Sequence, residues 1–164
     1  MDGMNERSPE DVAQRELDER CAHALGYRTI WADGGFGETL YLWDEEAIRD
    51  GNGARNCHLL GASFGRVRVG GEIRELMVRL CPAFSARLED AKILEDEIER
   101  RGIEKEYIEA LCKTIDPHYK LFINMPEPKT LEGLMVDAVC VLGWALIRAT
   151  PEQRARAFVS VVDL

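Results

Sequence analysis

The chain has 164 residues, which is enough for one domain with a substantial core but short for two. Lys and Arg number 21 against 30 Asp and Glu, so the net charge is −9 at neutral pH. This balance argues against direct binding of nucleic acid, because phosphate contacts need concentrated Lys and Arg. It favours either simple solubility or the attraction of a basic protein partner.

The cysteines and the apolar stretches indicate a cellular setting. Five cysteines are scattered without a CxxC pair, which is not typical of a disulfide framework. The polar residues 1–11 lack the apolar segment of a signal peptide, and the most apolar stretch, 134–147, is too short to span a bilayer. We therefore expect a reducing, cytoplasmic environment without membrane contact.

The chain is expected to start with a disordered tail over residues 1–7, followed by a single α+β domain over 8–164. The first helix has Ser8 as its N-cap, Pro9 in its first turn and Gly26 as its stop. Its buried face is predicted at Val12, Leu17, Cys21, Ala24 and Leu25.

Two antiparallel hairpins are predicted next. They comprise residues 27–31 with 39–43, and residues 66–69 with 72–80. Gly70 and Gly71 form the turn of the second hairpin. Because strand side chains alternate, Arg66 and Arg68 should face outward while Val67 and Val69 face the core.

Helices dominate the prediction after residue 82. A helix within 82–102 is capped by Ser85 and stopped by Gly102. Its buried stripe is expected at Leu88, at Ala91, at either Leu94 or Glu95, and at Ile98.

The rest of the chain is predicted as a helix over 104–113, a strand over 118–125 and an apolar helix over 130–149, in which 139–144 could instead be a strand. A closing helix starts with a capping box formed by Thr150 and Gln153. This order of elements predicts an α+β fold with helices packed on an antiparallel sheet.

The glycine run 34–37 raises the question of a phosphate-binding loop. The dinucleotide fingerprint needs a helix after the glycines, whereas a strand follows here, so a hairpin turn is favoured. The functional alternative is a ligand loop around Gly35 and Phe36, flanked by Trp31 and Trp43, whose rings would stack on a base or fill a partner's pocket. The structural alternative is that both tryptophans pack in the core or across strands.

Metal and acid–base chemistry have little support in the sequence. Cys57 and His58 are adjacent and would point to opposite faces of a strand, so they cannot chelate one ion together. The acidic residues within 44–50 are typical of a solvated turn, and no GxSxG, HExxH or P-loop motif is present. We expect no metal and no cofactor.

Cys81 is the strongest catalytic candidate, because a thiol at a helix N-terminus is acidified by the helix dipole. The stretch CPAFS is similar to half of a redox motif, but its serine stands one residue too late. Cys81 also directly follows the predicted end of a buried strand, Leu76 to Leu80. An inert buried thiol is therefore the favoured interpretation.

Three short motifs resemble the phage ABA-sandwich domain proteins. They are Leu25-Gly26-Tyr27, Pro82-Ala83-Phe84-Ser85 and Thr150-Pro151. The segment 103–147 departs from the family pattern by being longer and more helical. The resemblance implies an α–β–α layered fold and a phage or prophage origin, and it supplies no catalytic residue.

The resemblance and the charge together favour a non-enzymatic phage accessory protein that acts by binding. It would inhibit a basic, nucleic-acid-binding host protein, as anti-CRISPR and other counter-defence proteins do. A variant is a sponge that sequesters a small nucleotide signal. The alternatives are an enzyme that uses Cys81 or a metal, and a homo-oligomer assembled through the apolar C-terminal helices. The candidate binding residues are Trp31, Gly35, Phe36, Trp43, Arg66 and Arg68.

Overall fold

The structure is a computed structural model that describes residues 9–35, 37–50, 53–55, 57–115, 143 and 146–162. Its helices are α1 (Pro9–Ala24), α2 (Leu88–Arg101), α3 (Glu104–Ile115) and α4 (Pro151–Val162). Its strands are β1 (Arg28–Asp33), β2 (Glu38–Asp44), β3 (Ile48–Asp50), β4 (Gly53–Arg55), β5 (Ser63–Val69) and β6 (Glu72–Leu80). Residues 143 and 146–148 are also helical.

Four strands form an antiparallel sheet that closes on itself in the order β1-β2-β6-β5. The β1–β2 ladder runs from Arg28↔Trp43 to Asp33↔Glu38, and the β5–β6 ladder from Ser63↔Val78 to Val69↔Glu72. Between β1 and β5 the described residues pair only at Asp33↔Arg68. Strands β3 and β4 form a separate two-stranded ribbon. The predicted α+β class with an antiparallel sheet and both predicted hairpins are therefore confirmed.

One face of each strand builds the interior of the closed sheet. Its core cluster consists of Ala32, Val67 and Val78, with Tyr41, Trp43, Val69 and Leu76 packed against it. Arg66 and Arg68, on the other side of β5, are exposed. The alternation predicted for β5 is thus confirmed, and it carries both guanidinium groups to the surface.

Helix α1 ends as the sequence predicts. Gly26 has a φ of 84°, and its N–H donates to the carbonyl of His23, which closes the helix. The predicted buried face is wrong at Val12, which is 44 % exposed. Asp18, which is next to Leu17 in the sequence, is buried instead. The buried face of the helix is therefore rotated relative to the face predicted from its apolar residues.

The chain divides into two compact units. One is Asp18–Pro82, which holds the end of α1 and all the described strands, and the other joins Met1–Leu17 to Ala83–Leu164, which holds the start of α1 with α2, α3 and α4. The expectation of a single domain over 8–164 stays a prediction.

The start of α2 differs from the sequence prediction. The amides of Ala86 and Arg87 bond to the carbonyl of Ala83 at 3.0 and 2.8 Å, so the chain makes a turn before the helix begins at Leu88. Ser85 is therefore not the cap: its hydroxyl donates to the carbonyl of Gln14 at 3.3 Å. Leu88, which was expected on the buried stripe, is 48 % exposed.

The helical predictions for α2, α3 and α4 otherwise agree with the structure. The buried residues of α2 and α3 are Ala91, Leu94, Ile98, Tyr107, Leu111 and Cys112. Gly102 ends α2 in the left-handed conformation with a φ of 67°. At the start of α4, the amide of Thr150 donates to Gln153 Oε1 at 2.9 Å and the amide of Gln153 donates to Thr150 Oγ1 at 3.2 Å, which is the predicted capping box.

Several predictions fall outside the described residues. They concern the tail 1–7, the N-cap Ser8, Phe36, the strand 118–125, most of the helix 130–149 with its strand alternative at 139–144, and the C-terminal surface for a homo-oligomer.

Candidate functional site

The glycine loop between β1 and β2 is held by an acidic side chain. Asp33 Oδ1 accepts hydrogen bonds from the amides of Gly35 and Gly37 at 2.7 and 3.0 Å. A phosphate cradle needs free amides at this place. Since the Asp33 carboxylate occupies these two, the loop acts as a hairpin turn, as the strand after it predicts.

Three of the six candidate binding residues converge beside this loop. A cavity of about 260 Å³, which we name the arginine pocket, is lined by residues that include Asp33, Gly34, Gly35, Arg66, Arg68 and Ile73. Arg68 pairs with Asp33 on one side and with Ile73 on the other, so these three side chains form one row across β1, β5 and β6. Arg66 lies two residues earlier on the same face of β5.

Trp31 and Trp43 lie on opposite faces of the closed sheet. Trp31 pairs with Leu40, and Trp43 pairs with Val78 of the interior cluster; positions 40 and 43 of one strand point to opposite sides. The indole N–H of Trp31 donates to Glu19 Oε2 at 3.3 Å, which ties that ring to α1. The two rings therefore do not form one stacking platform.

Trp43 reaches a second cavity of about 300 Å³, which we name the acidic pocket. Its lining includes Tyr27, Arg28, Trp43, Asp44, Glu45, Glu46 and His58. The pairing of Arg28 with Trp43 brings the end of α1 and the start of β1 beside the acidic end of β2. The sequence shows the acidic run after Trp43, but only the strand register shows that Tyr27 lies next to it.

The carboxylates of the acidic pocket have defined partners. Glu45 forms an ion pair with Arg28, and Glu46 lies 3.8 Å from the imidazole Nε2 of His58. The amides of His58 and Glu46 donate to Asp44 at 2.6 and 3.1 Å. Burial alone would raise the pKa of Asp44, but these backbone hydrogen bonds and the nearby His58 lower it below its ordinary value, so Asp44 is anionic at neutral pH.

Cys81 does not lie at a helix N-terminus. It is 3 % exposed, its amide donates to the carbonyl of Leu40 at 3.0 Å, and α2 begins only at Leu88. The helix field that would acidify this thiol is therefore distant. The structure supports the inert buried interpretation of Cys81.

The described residues show neither a metal-binding cluster nor a membrane-spanning helix. That part of the chain holds no group of three or more His, Cys, Asp or Glu side chains arranged to ligate a metal ion. None of its helices combines the length and the hydrophobicity that crossing a bilayer requires.

Comparison of the chain with protein-family models, with curated proteins and with solved structures finds no match. The resemblance to the phage ABA-sandwich proteins stays a prediction from the three short motifs.

Proposed function

We propose that the protein acts by binding rather than by catalysis, and that the acidic pocket receives a basic side chain of a partner protein. The observation that carries this proposal is the combination of two aromatic rings, Tyr27 and Trp43, with the carboxylates of Asp44, Glu45 and Glu46 around one cavity. A guanidinium or ammonium group is the ligand that both chemical types attract.

The aromatic and acidic walls have complementary roles. The face of a tryptophan ring attracts a cation through its quadrupole, and Trp43 is half-buried, so its position is set by packing against the sheet interior. Asp44 is kept ionised by the two backbone amides that it accepts. A partner's arginine would therefore meet an immobile ring and a fixed negative charge.

The ion pair between Arg28 and Glu45 can be replaced by an ion pair with the partner at a small cost in free energy. The Arg28–Glu45 pair is exposed, with side-chain exposures of 65 % and 53 %, and such surface pairs contribute little. A partner's guanidinium can take the place of Arg28 at Glu45 without leaving a buried charge unpaired. The weak Arg28–Glu45 ion pair in the pocket lining can thus be replaced by a stronger, bidentate one.

The charge of the whole chain supports the same partner class. A net charge of −9 attracts basic proteins and raises their rate of encounter. In the setting that the sequence resemblance implies, the partner would be a basic host protein, and the binding would serve counter-defence. The phage origin and this role are part of the proposal and rest on the sequence alone.

The experiment is a titration of isotope-labelled protein with an arginine-rich peptide, with the same peptide carrying citrulline in place of arginine as its neutral counterpart. We expect chemical-shift changes at the Trp43 indole and at the amides of Asp44, Glu46 and His58, and none with the citrulline peptide. The double variant Glu45→Gln, Glu46→Gln should weaken binding about tenfold.

The matched control removes the same charge elsewhere. Glu104 and Glu106 are exposed residues in the first turn of α3, and changing both to Gln should weaken peptide binding less than about twofold. Equal weakening by the two double variants would show a diffuse attraction to acidic surface and would overturn the proposal.

A further inference from the structure

We propose that the arginine pocket is a separate binding site for a small organic phosphate, with Arg66 and Arg68 as its donors. The proposal does not depend on the basic partner, because the two pockets have different linings and opposite charge. A site for a small organic phosphate is also what the hypothesis of a nucleotide-sequestering sponge requires, and the proposal assigns that site to Arg66 and Arg68.

The two arginines are placed to act on one ligand. Arg66 and Arg68 are two residues apart on β5, so both leave the same face of the strand with about 6.6 Å between their Cα atoms. Both side chains are exposed and both line the cavity. Two guanidinium forks at this spacing can contact the oxygens of one phosphate, since their long side chains converge readily.

These guanidinium groups lack the partners that other arginines have. Within the described ranges, neither Arg66 nor Arg68 makes an ion pair or a side-chain hydrogen bond. By contrast, Arg74 on the same hairpin is paired with Glu72 at 3.0 Å. Glu75 lies opposite Arg66 and Asp33 opposite Arg68 in the strand pairing, but neither arginine bonds to its cross-strand carboxylate. Both guanidinium groups therefore keep donors for an external anion.

Asp33 is the acidic residue in the described lining of the arginine pocket, and hydrogen bonds from backbone amides partly compensate its negative charge. Its Oδ1 accepts the amides of Gly35 and Gly37, and hydrogen bonds from amides stabilise a carboxylate and spread its charge. Among the described lining residues, the two guanidinium groups and this one carboxylate give a net positive charge.

The rest of the pocket suits the organic part of the ligand. Ile73 follows Arg68 in the cross-strand row and is 68 % exposed, so it offers apolar surface beside the phosphate position. Gly34 and Gly35 add no side chains on the β1 side. The volume of about 260 Å³ is slightly below that of typical small-molecule pockets, so it suits a compact ligand. The net charge of −9 repels long polyanions, so a nucleic-acid strand is disfavoured.

The test uses adenosine monophosphate as the probe, with adenosine and inorganic phosphate as its two halves. Binding is followed by calorimetry and by the chemical shifts of the backbone amides and the arginine Nε–H groups. We expect the monophosphate to shift Gly35, Arg66 and Arg68. The variant Arg66→Gln, Arg68→Gln should lose at least about tenfold in affinity for the monophosphate.

Two further variants keep the test specific. Arg74→Gln removes one charge from the opposite face of the same hairpin and should change the affinity less than about twofold. Ile73→Ser should weaken the monophosphate and leave inorganic phosphate unchanged. Adenosine alone should not bind.

The outcome also separates this site from the acidic pocket. The Arg66→Gln, Arg68→Gln variant should bind the arginine-rich peptide as the unchanged protein does. Absence of shifts at Gly35, Arg66 and Arg68 with the monophosphate, or equal loss of affinity in Arg74→Gln, would overturn the proposal whatever the peptide does.

Discussion

At the scale of single residues, the burial and contacts of Arg154 are the features that the sequence indicates least. It lies on α4 and is only 6 % exposed. Its guanidinium forms an ion pair with Glu95 of α2 and donates to the carbonyls of Leu146 and Ala149. Tyr107 of α3 donates to the same carboxylate at 3.4 Å. One buried arginine thus links three helices and the carbonyls that precede α4.

Replacing this arginine should destabilise the helical unit. In Arg154→Met, the half-buried Glu95 carboxylate loses its cationic partner and keeps only the hydroxyl of Tyr107, and two carbonyls lose the guanidinium donor. We expect the free energy of unfolding to fall by about 2 kcal/mol. Urea denaturation measures this change. Arg156→Gln on the same helix breaks only an exposed pair with Glu152 and should cost less than about 0.5 kcal/mol. Similar losses in the two variants would contradict a special role for Arg154.

The cysteines should differ in reactivity according to burial. Cys57 is exposed, whereas Cys21, Cys81 and Cys112 are buried, and burial raises the pKa of the Cys112 thiol. Among these four thiols, which lie in the described part of the chain, we expect an alkylating reagent, followed by peptide mass spectrometry, to modify Cys57 first in the native protein. The three buried thiols should react only after denaturant is added. Modification of Cys81 at the rate of Cys57 would reopen the catalytic interpretation.

Local patterns predicted these residues only in part. The helix containing Arg154 was predicted, but its partner Glu95 lies 59 positions earlier, so nothing near Arg154 distinguishes it from a surface arginine. Likewise Asp18 is buried in α1 although charged residues are rarely buried. The position of Arg154 depends on a distant contact, which helical periodicity does not contain.

At the scale of elements, α2 ends in a cluster of charges that suits its dipole. Arg100 and Arg101, in the last turn, donate to Glu97 at distances of 2.5 to 2.7 Å. The hydrogen bond from Arg100 and then that from Arg101 outweigh burial and lower the pKa of Glu97 from 4.5 to about 2. The ionised form is therefore the one that the folded helix prefers.

This cluster gives a pH dependence of stability with a defined sign. Because the folded pKa is depressed, the stabilisation is complete above the ordinary pKa of 4.5 and is lost as the pH falls towards 2. Glu97→Gln should lower the free energy of unfolding by about 1 kcal/mol at pH 7, and the difference should vanish near pH 2. Urea titrations across this range measure it. In Glu99→Gln, an exposed position on the same helix, a loss of the same size and pH profile would contradict the argument.

The capping box of α4 is the second testable element. Thr150→Ala removes the hydroxyl that accepts the Gln153 amide, and we expect a loss of about 1 kcal/mol in thermal or urea unfolding. Thr114→Ala is the matched change inside α3, where the hydroxyl only bonds to the carbonyl of Ala110. A cost at Thr114 equal to that at Thr150 would mean that the cap is not the cause.

Turns and helix starts that depend only on neighbouring residues were predicted well. The start of α2, which depends on a choice between competing hydrogen-bond partners, was not. Gly70 and Gly71 between alternating strands, and Thr150 with Gln153, are complete within a few residues. The start of α2 was wrong because Ser85 looks like a cap in sequence, whereas the structure uses the carbonyl of Ala83 for a turn and the Ser85 hydroxyl for Gln14.

At the scale of the whole molecule, the distribution of charge and the strand register determine which residues meet in the two pockets. The sequence placed Arg66 and Arg68 outward correctly, but their meeting with Gly35 follows from the pairing of Asp33 with Arg68 across 35 positions of chain. The separation of Trp31 from Trp43 follows from register as well, because a shift of β2 by one residue against β1 would bring both rings to the same face. Composition predicts the net charge of the chain, but it does not predict that the folded protein has two pockets of opposite charge.

The net charge of −9 predicts the salt dependence of partner binding. The association rate of an arginine-rich peptide, followed by tryptophan fluorescence in stopped flow, should fall about tenfold from low to high ionic strength, since salt screens long-range attraction. The citrulline peptide should show no comparable change. An association rate that is independent of salt would argue against electrostatic steering of the partner.

The closure of the sheet has a consequence for ligand-linked stability. Strands β1 and β5 meet at Asp33↔Arg68, and the same two residues line the arginine pocket. A ligand held there contacts both strands, so any opening that separates them must also release the ligand. Occupancy of the pocket would then slow the opening of β1 from β5 by mass action, and the seam of the barrel would be most resistant to amide exchange when the ligand is bound.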